Sequence, residues 1–113
     1  MTVSDFKKVK KNNVSQMKAA LAKGPLSVSL DAESRAFDTY KKGVFNHNNC
    51  GHELDHAVLA VGFGKDADSG LEYWVIKNSY GTSWGEDGFM RLSITEGKGT
   101  CGVQMEPLLP ISN

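Results

Sequence analysis

The chain comprises 113 residues, 40% apolar and 23% charged, with thirteen basic side chains balancing thirteen acidic ones. That length suits one compact domain, and the balance gives no overall pull toward nucleic acid or an anionic membrane surface. The longest unbroken apolar run, Ala57 to Val61, is far too short to cross a bilayer, and the stretch from Met1 to Lys8 lacks the apolar segment of a secretory signal.

The first dozen residues are polar and carry Lys7, Lys8, Lys10 and Lys11, which reads as a solvated lead-in rather than a binding patch. A helix follows. Asn13 can cap it with Gln16 three residues on, Val14, Met17 and Leu21 fall on one face, and Gly24-Pro25 end it. Asn13-Val14-Ser15 also fits the glycosylation sequon, a pattern common by chance. Leu26 to Leu30 alternates with period two and reads as a half-buried strand. Residues 33–42 suggest a short helix anchored by Phe37 and Tyr40, and Gly43 with Asn46 to Gly51 a turn-rich connection. His56 to Gly64 and Leu71 to Asn78 are dense apolar segments joined by Lys65-Asp-Ala-Asp-Ser-Gly70, the pattern of an antiparallel hairpin. A glycine-rich stretch, Gly81 to Gly88, leads to a further strand from Phe89 to Ile94. No repeat, linker or low-complexity segment interrupts this order, and the expected class is α+β with strands gathered toward the C-terminus.

Two cysteines, Cys50 and Cys101, are too few for a disulfide scaffold or a four-cysteine zinc site. Each precedes a glycine. A bridge between them, worth about 4 kcal/mol on chain entropy, and two separate buried thiols are both open on this evidence.

If the hairpin loop is centred on Ala67, His56 falls directly opposite Asn78. Opposed residues have Cβ atoms about 4.5–5.5 Å apart, so the amide could reach the imidazole. An asparagine oxygen accepting from one ring nitrogen fixes the tautomer and leaves the other nitrogen free as a base. A one-residue slip would separate the two onto opposite faces, and a buried histidine satisfied by a nearby amide is the plainer alternative. His52-Glu53-Leu54-Asp55-His56 also matches the H-E-x-x-H zinc-peptidase pattern. That chemistry needs a helix to set both histidines on one face. Here turn residues precede the motif and a strand-like run follows, so no metal is expected.

With His56 and Asn78 placed, the surrounding residues resemble the papain-like cysteine peptidases, the papain and cathepsin L group. Leu54 to Gly64 resembles the family's histidine motif, and Tyr73 to Phe89 its asparagine motif. Gly24 to Val28 and Cys101-Gly102-Val103 fall in the matching order, so the likeness runs from about residue 13 to the C-terminus. The resemblance implies the β-rich right-hand half of that fold, an antiparallel, barrel-like sheet with short helices, spanning residues 1–113. It implies His56 as general base and acid, Asn78 as its orienting residue, and a Cys50–Cys101 bridge. Trp84 would pack against the site, and Tyr80, standing where the family usually carries tryptophan, would shield the Asn–His bond. Ser29, Asp55, Ala57 and Glu106 would contribute to the substrate pocket, with Glu106 admitting an arginine or a large apolar side chain.

One departure is decisive. Family members carry their nucleophile in a C-G-[SA]-C-[WY] motif, with histidine and asparagine roughly 130–150 residues downstream. Only fifty-five residues precede His56 and the motif is absent; the oxyanion-hole glutamine belongs to the same missing half. Cys50 shows no helix N-terminus to lower its thiol pKa and reads as structural. The resemblance therefore implies the C-terminal half of a cysteine endopeptidase, acting on peptide or protein substrates with a helical N-terminal half or second chain that supplies the nucleophile. The isolated chain should be inactive and expose an apolar patch where that half would sit. No cofactor is called for, and neither nucleic acid nor membrane is an expected partner. A non-catalytic module that binds peptides or a peptidase is the alternative. Family members are lysosomal, vacuolar or extracellular, which suits a disulfide.

Overall fold

The computed structural model describes residues 3–46 and 50–112. Its elements in chain order are β1 (Val3–Lys8), α1 (Val14–Leu21), β2 (Leu26–Leu30), α2 (Arg35–Asp38), β3 (Val44–Phe45), β4 (His56–Lys65), β5 (Glu72–Lys77), β6 (Phe89–Ser93) and β7 (Leu108–Ser112), with a 3-10 turn at Thr100–Gly102 before β7. The strands form one seven-stranded sheet in the order β1-β7-β2-β4-β5-β6-β3. Every pairing is antiparallel except that of β3 with β6. The α+β class and sheet-rich architecture hold. The barrel-like closure does not: among the described residues β1 and β3 end the order and the sheet stays open. No helix of the described chain is long and apolar enough to cross a membrane.

Local chemistry explains most elements. Asn13 Oδ1 accepts the Gln16 amide at 2.9 Å and starts α1, which buries Met17 against the sheet. β2 buries Leu26, Val28 and Leu30 and leaves Ser27 and Ser29 on its other side, as its alternation requires. These residues meet Val58 and Ala60 of β4, Trp74 and Ile76 of β5, and Met90 and Leu92 of β6 in one core. The helix expected over 33–42 shrinks to α2; Ser34 caps it at Phe37 N, and Phe37 and Tyr40 are buried as anchors. In the turn-rich connection after β3, residues 47–49 lie outside the described residues.

The lysine-rich lead-in is solvated, as its sequence suggests, and forms a strand besides: β1 pairs with β7 from Lys8↔Leu108 to Val3↔Ser112. Its residues from Asp5 to Lys8 are all exposed, so no buried face wrote a hydrophobic period into the sequence. The hairpin register differs from the expected one. Lys65 faces Glu72 rather than Ser69, a shift of three from a loop centred on Ala67. Asp66 causes it: its carboxylate accepts from Ser69 N and Oγ, and its backbone bonds to Gly70 and Leu71 draw the whole 66–71 stretch into the turn. Past an irregularity between Ala60 and Gly62, Leu59 faces Lys77 rather than Val75, a shift of two.

Candidate active site

That irregularity decides where His56 points. With a shift of three carried to the end of β4, His56 and Asn78 would lie on opposite faces of the sheet, because side chains alternate with period two. The one-residue bulge at Val61 restores an even shift. His56 then shares a face with Asn78 as a diagonal neighbour, within reach of a long or aromatic side chain. His56 also pairs with Leu30 on the other side, so strands flank it on both edges. Asn78 follows β5 directly and donates its backbone N–H to Gly88 O at 3.0 Å.

The two side chains meet: His56 Nε2 and Asn78 Oδ1 are 2.7 Å apart. The same Oδ1 accepts the Ser79 backbone N–H at 2.7 Å. A backbone amide can only donate, so the atom facing it is the amide oxygen, and the ring nitrogen on its other side must also donate. His56 is thereby held as the Nε2–H tautomer, with no hydrogen bond to Nδ1 among the described residues. Asn78 is buried, and its Nδ2 is the one buried side-chain N/O atom without a hydrogen-bond partner among the described residues.

An aromatic cluster covers the pair. Tyr80 lies flat on His56, with centroids 5.1 Å apart and planes at 26°. Phe37 sets its edge to both His56 and Tyr80, at 6.4 and 6.1 Å. Trp84 packs against Tyr80 and Phe37 and donates Nε1–H to Phe37 O at 3.2 Å. α2 presents Phe37, and the loop between Asn78 and Phe89 presents Tyr80 and Trp84. Its Gly85, at φ +60°, has no room for a Cβ beside Phe89 O. Partial burial of the Tyr80 ring, then the Asp38 and Asp55 carboxylates, raise its phenol above the usual tyrosine range.

Sequence reasoning passed over Asp31, which secures the approach to His56. This carboxylate is buried; Oδ1 accepts Glu33 N and Oδ2 accepts Glu53 N, both at 3.0 Å. Asp55 reciprocates: its Oδ1 accepts Ala32 N at 2.9 Å while its own N–H bonds Leu30 O. The irregular 51–55 segment is thus stitched to the end of β2 just before His56. An aspartate closing an alternating strand was the available signal. The Cys50–Cys101 bridge, with Cα atoms 5.0 Å apart, closes the same corner. Asp31 N–H donates to Cys101 O at 2.8 Å.

The helix that the H-E-x-x-H pattern requires is absent, since residues 51–55 are irregular and His56 opens a strand. The acidic group whose oxygens do converge, Asp31, Glu33 and Asp55, spends two of its carboxylates on backbone amides. Of the expected pocket residues, Ser29 pairs with Ala57 directly beside His56, and Asp55 precedes it. Ala57 lines a shallow groove of about 390 Å³ with Ser27, Leu59, Lys77, Asn78 and Ser79. Glu106 is exposed and lines a different groove, with Lys8 and Lys98.

The sheet thus presents a histidine hydrogen-bonded to an asparagine under an aromatic cover, in a chain whose two cysteines are bridged to each other. The family profile described as "Papain family cysteine protease" matches residues 1–111, and the chain belongs to that family. It is 39% identical over 115 residues to cysteine proteinase RD21A of Arabidopsis thaliana, covering all of this chain and 24% of that protein. To the senescence-specific cysteine protease SAG39 of Oryza sativa subsp. indica it is 41% identical, over 96% of this chain and 32% of that one. Among solved structures, the bromelain protease of Ananas comosus in complex with the E64 inhibitor superposes with a TM-score of 0.89 at 40% identity, over 98% of this chain and 51% of bromelain's. The proform of the ragweed pollen cysteine protease Amb a 11 gives 0.91 at 30% identity, covering 35% of its chain. This chain therefore spans about a quarter to a third of the curated relatives and half of the bromelain chain.

Proposed function

We propose that this chain supplies the general base and its orienting amide to a papain-like cysteine endopeptidase whose nucleophilic cysteine lies outside these 113 residues. The observation that carries the reading is the doubly accepting Asn78 oxygen, which leaves His56 Nδ1 free to take a proton. In the assembled site the thiol gives its proton to Nδ1 and its sulfur attacks the peptide carbonyl. The imidazolium then protonates the leaving amine, and a water, deprotonated by the same nitrogen, hydrolyses the thioester. Tyr80, backed by Trp84, keeps competing water from the Asn–His bond.

Ser29, Asp55 and Ala57 form this chain's share of the substrate wall. Tyr80, stacked on the histidine, still exposes 42% of its surface, and the nucleophile-bearing half is the natural cover for it.

Groups that act as a unit lose nearly all activity when one is removed. The isolated chain should therefore cleave a fluorogenic peptide no faster than buffer. Joined by a nucleophile-bearing half it should gain a cleavage that iodoacetamide or His56→Ala abolishes. Alkylation-sensitive cleavage by the isolated chain overturns the reading.

A further inference from the structure

The strand order leaves one side of β1 without a partner among the described residues, and the register says which groups it shows there. Phe6 faces Pro110, which has no N–H to give, so this is a non-hydrogen-bonded pair and the Phe6 N–H and C=O both turn outward. The Val9 N–H bond to Pro107 O, three residues on, fits the same alternation and turns the Lys8 groups outward as well. The Phe6 N–H is covered by its neighbour: Asp5 Oδ1 accepts it at 2.8 Å. Beyond Lys8 the chain runs along a groove of about 780 Å³, floored by Met105, Pro107 and Leu108. Lys8, Lys10, Lys11 and Lys98 rim it, all exposed, and none makes an ion pair among the described residues. One acid, Glu106, stands among them.

We propose that β1 and this groove form a docking surface for an extended, acidic polypeptide that adds to the sheet as an eighth strand. Phe6 and Lys8 lie two residues apart and so share a face. The incoming strand would set an apolar residue against Phe6, which exposes 48% of its surface, and an acidic one against Lys8, again two residues apart. Lysines on an edge strand repel a second copy of the same edge; an acidic strand converts that repulsion into attraction. Main-chain bonds supply affinity and the two side-chain positions supply selectivity. The apolar floor favours a peptide over a polysaccharide, which would leave it unused. Asp5 is the built-in competitor, since its carboxylate must release the Phe6 N–H before a strand can take it.

The test uses the 113-residue chain and a fluorescein-labelled probe, Val-Ser-Glu-Ser-Val-Ser-Glu-Ser, read by anisotropy, with amide exchange at Phe6 and Lys8 followed in parallel. Saturable, salt-sensitive binding with slowed exchange at both amides is expected. Lys8→Glu with Lys98→Glu should weaken binding about tenfold, and Asp5→Ala should tighten it. Four results overturn the proposal: no saturable binding, equal binding of a probe with lysine in place of glutamate, binding with no protection of the two amides, or sedimentation showing the edge occupied by a second copy.

Discussion

Replacing Asn78 by alanine separates an orienting amide from a structural one. Its oxygen accepts two bonds of 2.7 Å, from His56 Nε2–H and Ser79 N–H, each worth about 1 kcal/mol net. Both donors reach solvent once the amide is gone, because Ser79 is exposed and His56 only half-buried. Against that loss stands the Asn78 Nδ2, buried without a partner among the described residues, whose removal returns about 1–3 kcal/mol. The two sides nearly cancel, so Asn78→Ala should change unfolding free energy by no more than about 1 kcal/mol. The tautomer has no such compensation. Losing a bond of about 1 kcal/mol lowers the ratio of Nε2–H to Nδ1–H imidazole about fivefold. Urea denaturation measures the first quantity, and nitrogen-15 NMR of the neutral His56 ring the second. An unchanged tautomer ratio, or a stability loss beyond about 3 kcal/mol, would refute the assignment of Asn78 as an orienting residue.

Cys50→Ala with Cys101→Ala opens a loop of 51 residues and should cost about 4 kcal/mol, lowering Tm by roughly 15 °C; calorimetry showing a shift under about 3 °C would contradict it. The Tyr40 phenol, pushed up to about 12 by burial and the Glu86 carboxylate, donates to Gly43 O at 2.6 Å. A raised folded value means that its stabilising effect is complete below the unfolded pKa of about 10 and is lost as pH rises toward 12. Urea midpoints should therefore fall over that window, and Tyr40→Phe should lessen the slope. Tyr80→Ala should speed exchange of the His56 Nε2 proton and Tyr80→Trp should slow it, both read by low-temperature NMR.

The residues that meet at the site were legible in sequence for a reason more general than the register used to pair them. A loop centred on Ala67 puts His56 opposite Asn78; in the structure they are diagonal, under a register two residues away. The reading survives because two is even, and the residue that makes it even, Val61 in the bulge, carries no local signal beyond the glycine after it. Among the core strands, β2 announces itself by its alternation and β4 and β5 by dense apolar runs bounded by turn residues. β1 and β7 do not announce themselves. Their pairing is a property of backbone groups meeting across more than a hundred residues, with lysines on one strand and Pro110 in the other. Asp31 offered only its place at the end of an alternating strand, because its bond to the Glu53 amide joins residues that no window brings together.

In the proposed reading this chain holds the base and orienter of a cysteine peptidase whose nucleophile is elsewhere. The direct measurement is a native mass spectrum of the protein from its source, taken with its peptidase activity before and after iodoacetamide. The account predicts that activity disappears with one alkylation, and that the modified cysteine maps to sequence outside these 113 residues. Activity that tracks alkylation of Cys50 or Cys101, or that belongs to the 113-residue species alone, would contradict it.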